Sequence, residues 1–169
     1  MKTPSIFEKI ELATYWFDAL GVRLLEDKNL SSMLGKYKTE IETSHRLMNE
    51  LEVVEICRIC ATSTPNAGCC GAGIEEWYDE YLLLTNLLLG QSIPTKRLAD
   101  SDCLFLGTSG CSLMARHDFC INYLCHRIKN KLPQENIDRL TQTSGQELFS
   151  YWQIELYLRR LIPKLLSRG

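Results

Sequence analysis

The sequence predicts an all-α fold, a helical bundle of about five helices with cysteine-rich connecting loops. Three observations point there. Apolar residues recur at alternating steps of three and four over long stretches, the spacing of one helical face. No stretch shows the period-two alternation of a half-buried strand. All eight cysteines fall between Cys57 and Cys125, where the helical pattern is most interrupted.

The first helix is expected from about Ser5 to Glu26, with Ile6, Ile10, Ala13, Phe17, Leu20 and Leu24 on one face. Pro4 suits its start, and Glu26-Asp27-Lys28-Asn29 suits a turn. A second helix, from about Leu30 to Ile56, carries Leu30, Leu34, Tyr37, Ile41, Ser44, Met48 and Leu51 inward, with Asn29 or Ser31 as cap. The short connection makes the pair an antiparallel hairpin that delivers the chain to Cys57. Residues 57–73 break the pattern, with Pro65, Asn66, Gly68, Gly71 and Gly73 as turn residues around Cys69-Cys70.

A third helix is expected from about Ile74 to Leu89. Glu75, Glu76, Asp79 and Glu80 form a solvated first turn that complements the helix dipole. Cys69 and Cys70 precede that N-terminus, where the local field favours thiolate. Residues 90–102 read as a polar, mobile loop and Gly107-Thr-Ser-Gly110 as a turn. A fourth helix is expected from about Cys111 to Lys131, with Leu113, His117, Cys120, Leu124 and Ile128 inward. Pro133 opens a short segment to about Leu140. Ser144-Gly-Gln-Glu147 reads as a capping box for a last helix, carrying Leu148, Tyr151, Trp152, Ile154, Leu158 and Leu161, which Pro163 kinks or ends. Trp16, Trp77 and Trp152 are expected in the core.

At 169 residues the chain fits one domain: an N-terminal hairpin (1–56), a cysteine core (57–131) and C-terminal helices (132–169). Apolar content of 45% and charged content of 24% are ordinary for a globular protein. A net charge of −2 argues against a nucleic-acid partner. The longest apolar run, Tyr81–Leu89, is far short of the ~20 residues that span a bilayer, so no membrane insertion is expected. The N-terminus lacks a signal-peptide pattern, and a cytoplasmic location follows. There, free cysteines act as metal ligands or redox thiols more often than as disulfides.

The spacing is C-x2-C-x8-C-C for Cys57, Cys60, Cys69 and Cys70, then C-x7-C-x8-C-x4-C for Cys103, Cys111, Cys120 and Cys125. Two groups of four match Zn2+, which takes four thiolates, and iron–sulfur clusters, which do the same. Cys57 and Cys60 suit one shared site. Cys69 and Cys70, being adjacent, diverge, so one can close the Cys57/Cys60 site while the other faces a second site or is simply buried. Spacing alone does not assign the remaining partners. The bland alternative is buried cysteine acting as a small hydrophobe.

These residues resemble the YkgJ-like cysteine-cluster proteins, described as zinc- or iron-chelating domains. The matching pieces are Cys57-Arg-Ile-Cys60, Cys69-Cys70, Cys103-Leu-Phe-Leu106, Gly110-Cys111-Ser-Leu, Arg116 and Cys120, covering about residues 57–125. The family's arginine–proline is Arg116-His117 here, so the chain is expected to continue as helix at that point. The resemblance implies a metal or cluster site held by these cysteines. Similar clusters are associated with flagellin lysine methylases, but no glycine-rich turn for a methyl donor is present.

His117 is either a ligand or a hydrogen-bonded core histidine, while His126 and His45 are expected at the surface. Arg116 either contacts the thiols or a carboxylate, or is solvated. No general acid–base pair, phosphate loop or nucleophile elbow is present, so an independent enzyme is not expected. The leading expectation is a metal-binding protein with cysteine-ligated zinc or iron, working with a protein partner. The alternatives are an iron–sulfur electron-transfer or accessory subunit docking a redox enzyme, and a thiol redox switch using Cys57/Cys60.

Overall fold

The computed structural model describes residues 3–63 and 69–167, with backbone only for 61–63. Seven α-helical segments lie among them: α1 (Ile6–Glu26), α2 (Lys28–Glu50), α3 (Val53–Ser63), α4 (Glu80–Leu88), α5 (Asp118–Asn122), α6 (His126–Lys131) and α7 (Gln134–Leu166). A two-stranded antiparallel hairpin, β1 (Leu106–Gly107) and β2 (Gly110–Cys111), completes the set, so the fold is all-α with one minimal sheet.

The first hairpin follows from its caps. Ser5 accepts the Glu8 N–H, and the Glu8 carboxylate accepts the Ser5 N–H at 2.7 Å, a complete capping box. Asp27 ends α1 and caps α2, accepting the Leu30 N–H at 2.9 Å. Tyr157 of α7 donates to the same carboxylate, which ties the hairpin turn to the C-terminal helix. Asp27, rather than Asn29 or Ser31, is therefore the cap.

Four helices form a ring in which α1 packs on α2, α2 on α7, α7 on α4 and α4 on α1. α2 and α7 run antiparallel: Asn29 meets Tyr157 and Tyr37 stacks near Tyr151. The main core draws Ile10, Leu24, Tyr37, Leu83, Phe105 and Leu158 from these elements. A second apolar cluster lies at the far end of α2 and holds Leu47, Met48, Val53, Ile121, Ile128 and Leu140.

The expected second helix to Ile56 is interrupted. Leu51 caps α2, and Glu52 adopts φ +58 before α3 begins. A non-glycine residue in the left-handed region is a strained stop of the kind that ends helices. Cys57 and Cys60 therefore sit inside a helix, not in a tight turn. Of the turn residues expected next, Pro65, Asn66 and Gly68 lie outside the described residues. Gly71 bridges Asp102, and Gly73 takes a positive φ of 99°.

The expected third helix divides into a 3₁₀ turn, Ile74–Trp77, and α4, which Asp79 caps through the Leu82 N–H. Glu75 is not solvated. It is fully buried, pairs with Arg97 and accepts the Gly73 and Leu104 N–H groups. Trp77 and Trp152 are half exposed, at 50% and 51%, and only Trp16 joins the core.

The expected fourth helix is replaced by the hairpin, α5 and α6. Extended backbone at His117 and Cys125 stops one element and caps the next. The chain thus turns at Arg116-His117 instead of continuing as helix. The segment is held from outside by Asn86 of α4, whose side chain both donates to Ala115 O (2.8 Å) and accepts from Ala115 N (3.0 Å). The polar stretch 90–102 is anchored as well, through Arg97 to Glu75 and Ser101 O to the Ala72 N–H.

The last two expected helices are one, α7, about 50 Å long at 1.5 Å per residue. Ser144 is a buried interior residue that donates to Asn122 at 2.9 Å, not an N-cap. Packing along α2 overrides the local capping preference. The helix passes Pro163 and ends within one further turn.

Candidate metal centre

All eight cysteines are free thiols; Cys103 belongs to the main core, and Cys57 and Cys125 pack on the second cluster. Cys57 and Cys60 stand one turn apart on α3. Cys69 and Cys70 lie in the turn before the 3₁₀ segment. Cys103 opens the turn that leads into β1, Cys111 is in β2, Cys120 is in α5 and Cys125 caps α6. Only Cys103 is buried as a residue, while six are half-buried and Cys111 is exposed.

The thiols act on one another electrostatically across these elements. Burial pushes Cys57 up to about 11, helped by the charges of Cys69, Cys125 and Cys60, with Arg116 opposing. Burial does the same to Cys103, to about 11, with Cys111 and Cys120 adding to it. Cys120 is also raised to about 11, by burial first and then by Cys111. A thiol–thiol hydrogen bond within the Cys69/Cys70 pair holds Cys69 down and drives Cys70 up. The shift at Cys69 arises chiefly from its neighbour rather than from a helix terminus.

Cys111 is exposed as a residue, yet burial raises its thiol and the buried Tyr78 hydroxyl lowers it. Contact with Tyr78 decides for an inward-facing sulfur. Tyr78 sits at the middle of this region. It packs edge-on against Phe105 and lies beside His117, and its hydroxyl reaches both Cys111 and Cys120. Sequence reading passed over it because nothing in Trp77-Tyr78-Asp79 marks a site residue.

Arg116 is half-buried and its guanidinium lies 3.8 Å from Met48 Sδ. Its charge lowers Cys57, Cys111 and Cys120 and also the carboxyl of Glu147 in α7. Its charge therefore reaches both the thiols and a buried acid. His117 caps α5, its Nδ1 accepting the Phe119 N–H at 3.2 Å with Asp118 Oδ1 2.7 Å from the same nitrogen. That nitrogen is committed locally. His45 and His126 are at the surface.

The donor chemistry fits a thiophilic ion: thiols from four separate stretches, with a cation beside them. Among the described residues, no three histidine, cysteine, aspartate or glutamate side chains already stand in a metal-holding arrangement. Ligation therefore requires thiol side chains to turn onto a common point, a rotation about χ1 between staggered wells.

No family model, curated protein or solved structure matches this chain. Among the described residues no helix is long and apolar enough to cross a membrane.

Proposed function

We propose that the protein binds zinc or iron through its cysteine thiolates, in a structural, carrier or sensing role. The observation that carries this reading is the gathering itself. Eight thiols spread over residues 57–125 are carried on α3, the 69–70 turn, the turn at Cys103, β2 and α5–α6, and each interacts electrostatically with at least one other. Six of the eight cysteines are half-buried, short of the full burial of a small core hydrophobe. The spacing that resembles the YkgJ-like cysteine-cluster proteins supports the same reading. A reducing, cytoplasmic setting would keep these thiols available.

A protein partner belongs to the proposal. Trp77 and Tyr123 are half-exposed, and Phe119 lies edge-on to Trp77 at 4.9 Å and stacked on Tyr123 at 4.8 Å. Aromatic surface of this kind is favoured at interfaces.

The test is elemental analysis by mass spectrometry on protein purified anaerobically from its native host. Stoichiometric zinc in a colourless sample supports a zinc site, and a brown sample with iron and acid-labile sulfide supports a cluster. Metal-free protein whose eight thiols all react freely overturns the reading.

A further inference from the structure

α7 turns Leu140, Ser144, Glu147, Ile154 and Leu158 inward. At about 100° per residue, the opposite stripe is Asp138, Gly145, Phe149, Trp152, Leu156 and Arg160. All but the half-buried Leu156 are exposed. The Phe149 and Trp152 rings touch, with centroids 5.8 Å apart. From Leu140 to Ile154 the only charged residue is Glu147, and it is buried. The outer face of α1 differs, because its exposed Phe7, Tyr15 and Val22 are separated by exposed Glu11 and Asp18. A charge-free stretch centred on aromatic rings has the composition of an interface core, not of a solvated face.

The stripe also carries its own complements. Beside Gly145 a groove of about 250 Å³ opens between α7 and the chain at α5, lined by Ile121, Leu124, Leu140, Thr141 and Ser144. Nothing lies within 4 Å of where a Cβ on Gly145 would stand. Trp152 lies two turns on, on the same flank of the stripe. Asp138 and Arg160 stand eleven residues before and eleven after Phe149. Neither makes an ion pair among the described residues. Consider a twofold axis through Phe149, perpendicular to the helix. Each residue ahead of Phe149 in one copy then faces the residue equally far behind it in the other. Asp138 meets Arg160 twice. Such an axis keeps matching flanks on one side, so Trp152 of each copy comes over Gly145 of the other, at the mouth of the groove.

We propose that two copies of this chain dimerise through antiparallel packing of α7, with Phe149 at the axis, Trp152 seated at the Gly145 groove of the other copy, and an Asp138–Arg160 ion pair at each end. The occupant is a second copy because an isologous interface must hold both halves of every contact on one surface, and this stripe holds ring and groove, acid and base. The contact is one helix wide and spans about 33 Å from Asp138 to Arg160 at 1.5 Å per residue, which places the dimer in the small, reversible class. It is independent of what the thiols bind.

The experiment is sedimentation equilibrium of the full-length, reduced protein and its variants, at concentrations up to ~1 mM. Wild type is expected to show a monomer–dimer equilibrium. Trp152→Ala should raise the dimer Kd at least ~10-fold, the effect of truncating an aromatic anchor. Gly145→Lys puts a side chain across the groove mouth and should abolish the dimer. Its monomer should be no less stable, because the new Cβ meets open space and glycine is the poorer helix former. Asp138→Arg and Arg160→Asp each turn two pairs repulsive and should raise Kd ~10-fold, while the two together should return it to within ~3-fold of wild type. Circular dichroism confirms that every variant keeps its helix content. Wild type that stays monomeric throughout overturns the proposal. A dimer that both Trp152→Ala and Gly145→Lys leave intact lies on another face and overturns it as well. A dimer weakened by those two but not rescued by the charge exchange overturns the register through Phe149.

Discussion

Replacing Glu147 with glutamine should stabilise the protein at neutral pH. The residue lies in the middle of α7, fully buried against α2. Neither carboxylate oxygen has a hydrogen-bond partner, and the buried Tyr37 hydroxyl and Ser44 Oγ beside it are also unpartnered. Burial raises its pKa above the ordinary 4.5, and Ser44 and Arg116 pull it back in part. Ser44 is thus near enough to act electrostatically but out of hydrogen-bond geometry. A folded-state value above the unfolded one means the native protein keeps a proton that the unfolded chain releases. Stability therefore falls as pH rises from the unfolded value through the folded one, and the full cost is present above both. Leaving a buried charged group unpaired costs at least ~1–3 kcal/mol. For 169 residues, unfolding entropy converts each kcal/mol to about 3 °C. Glu147→Gln is thus expected to raise Tm by ~3–9 °C near pH 7.5, with the gap closing towards about pH 4. Calorimetric scans of both proteins across that range decide it. A variant that is less stable at neutral pH, with a gap independent of pH, would show that the carboxylate is satisfied and the reasoning wrong.

Further expectations concern the scaffold around the thiols. Asn86→Leu removes both bonds to Ala115 and strands a buried N–H and C=O, a loss of ~2–4 kcal/mol measurable by urea unfolding. Glu75→Ala leaves Arg97 and the Gly73 and Leu104 N–H groups without their acceptor and should cost ~3–5 kcal/mol, whereas the exposed Glu76→Ala should stay within ~0.5 kcal/mol. Equal effects of the two would refute the buried role of Glu75. Glu52→Gly relieves the left-handed backbone at the α2–α3 break and should gain ~0.5–1 kcal/mol, since the exposed Lys131 pair it loses contributes little. Stripping the native-host protein with a chelator should lower Tm, and re-added Zn2+ should restore it, because ligation that joins separate segments is linked to folding.

Helix positions in the N-terminal half were readable because their signals are local. The start of α1 and its apolar stripe mark where that helix begins and faces, and the structure follows them, although α2 is capped by Asp27 and not by Asn29 or Ser31. The same kind of signal misled further on. Ser5-Ile-Phe-Glu8 and Ser144-Gly-Gln-Glu147 share the S-x-x-E pattern, yet the first is a capping box and the second lies buried inside α7. A cap competes only with solvent at a chain end, whereas α7 gains a continuous interface with α2 by running through. In the cysteine region, stripes that looked like one helix were cut into a hairpin and two short helices. Asn86 and Tyr78, remote in sequence, provide the partners that favour extended backbone there.

By itself, then, the sequence determined the helical class and the first hairpin, since these depend on residue type and short-range spacing. Tertiary structure alone decided that Glu75 and Glu147 are buried, that Cys57 and Cys60 ride on a helix, and that Tyr78 and Arg116 stand among the thiols. Those outcomes depend on which surfaces meet across ring and hairpin, and contacts between residues dozens of positions apart leave no local mark on the chain.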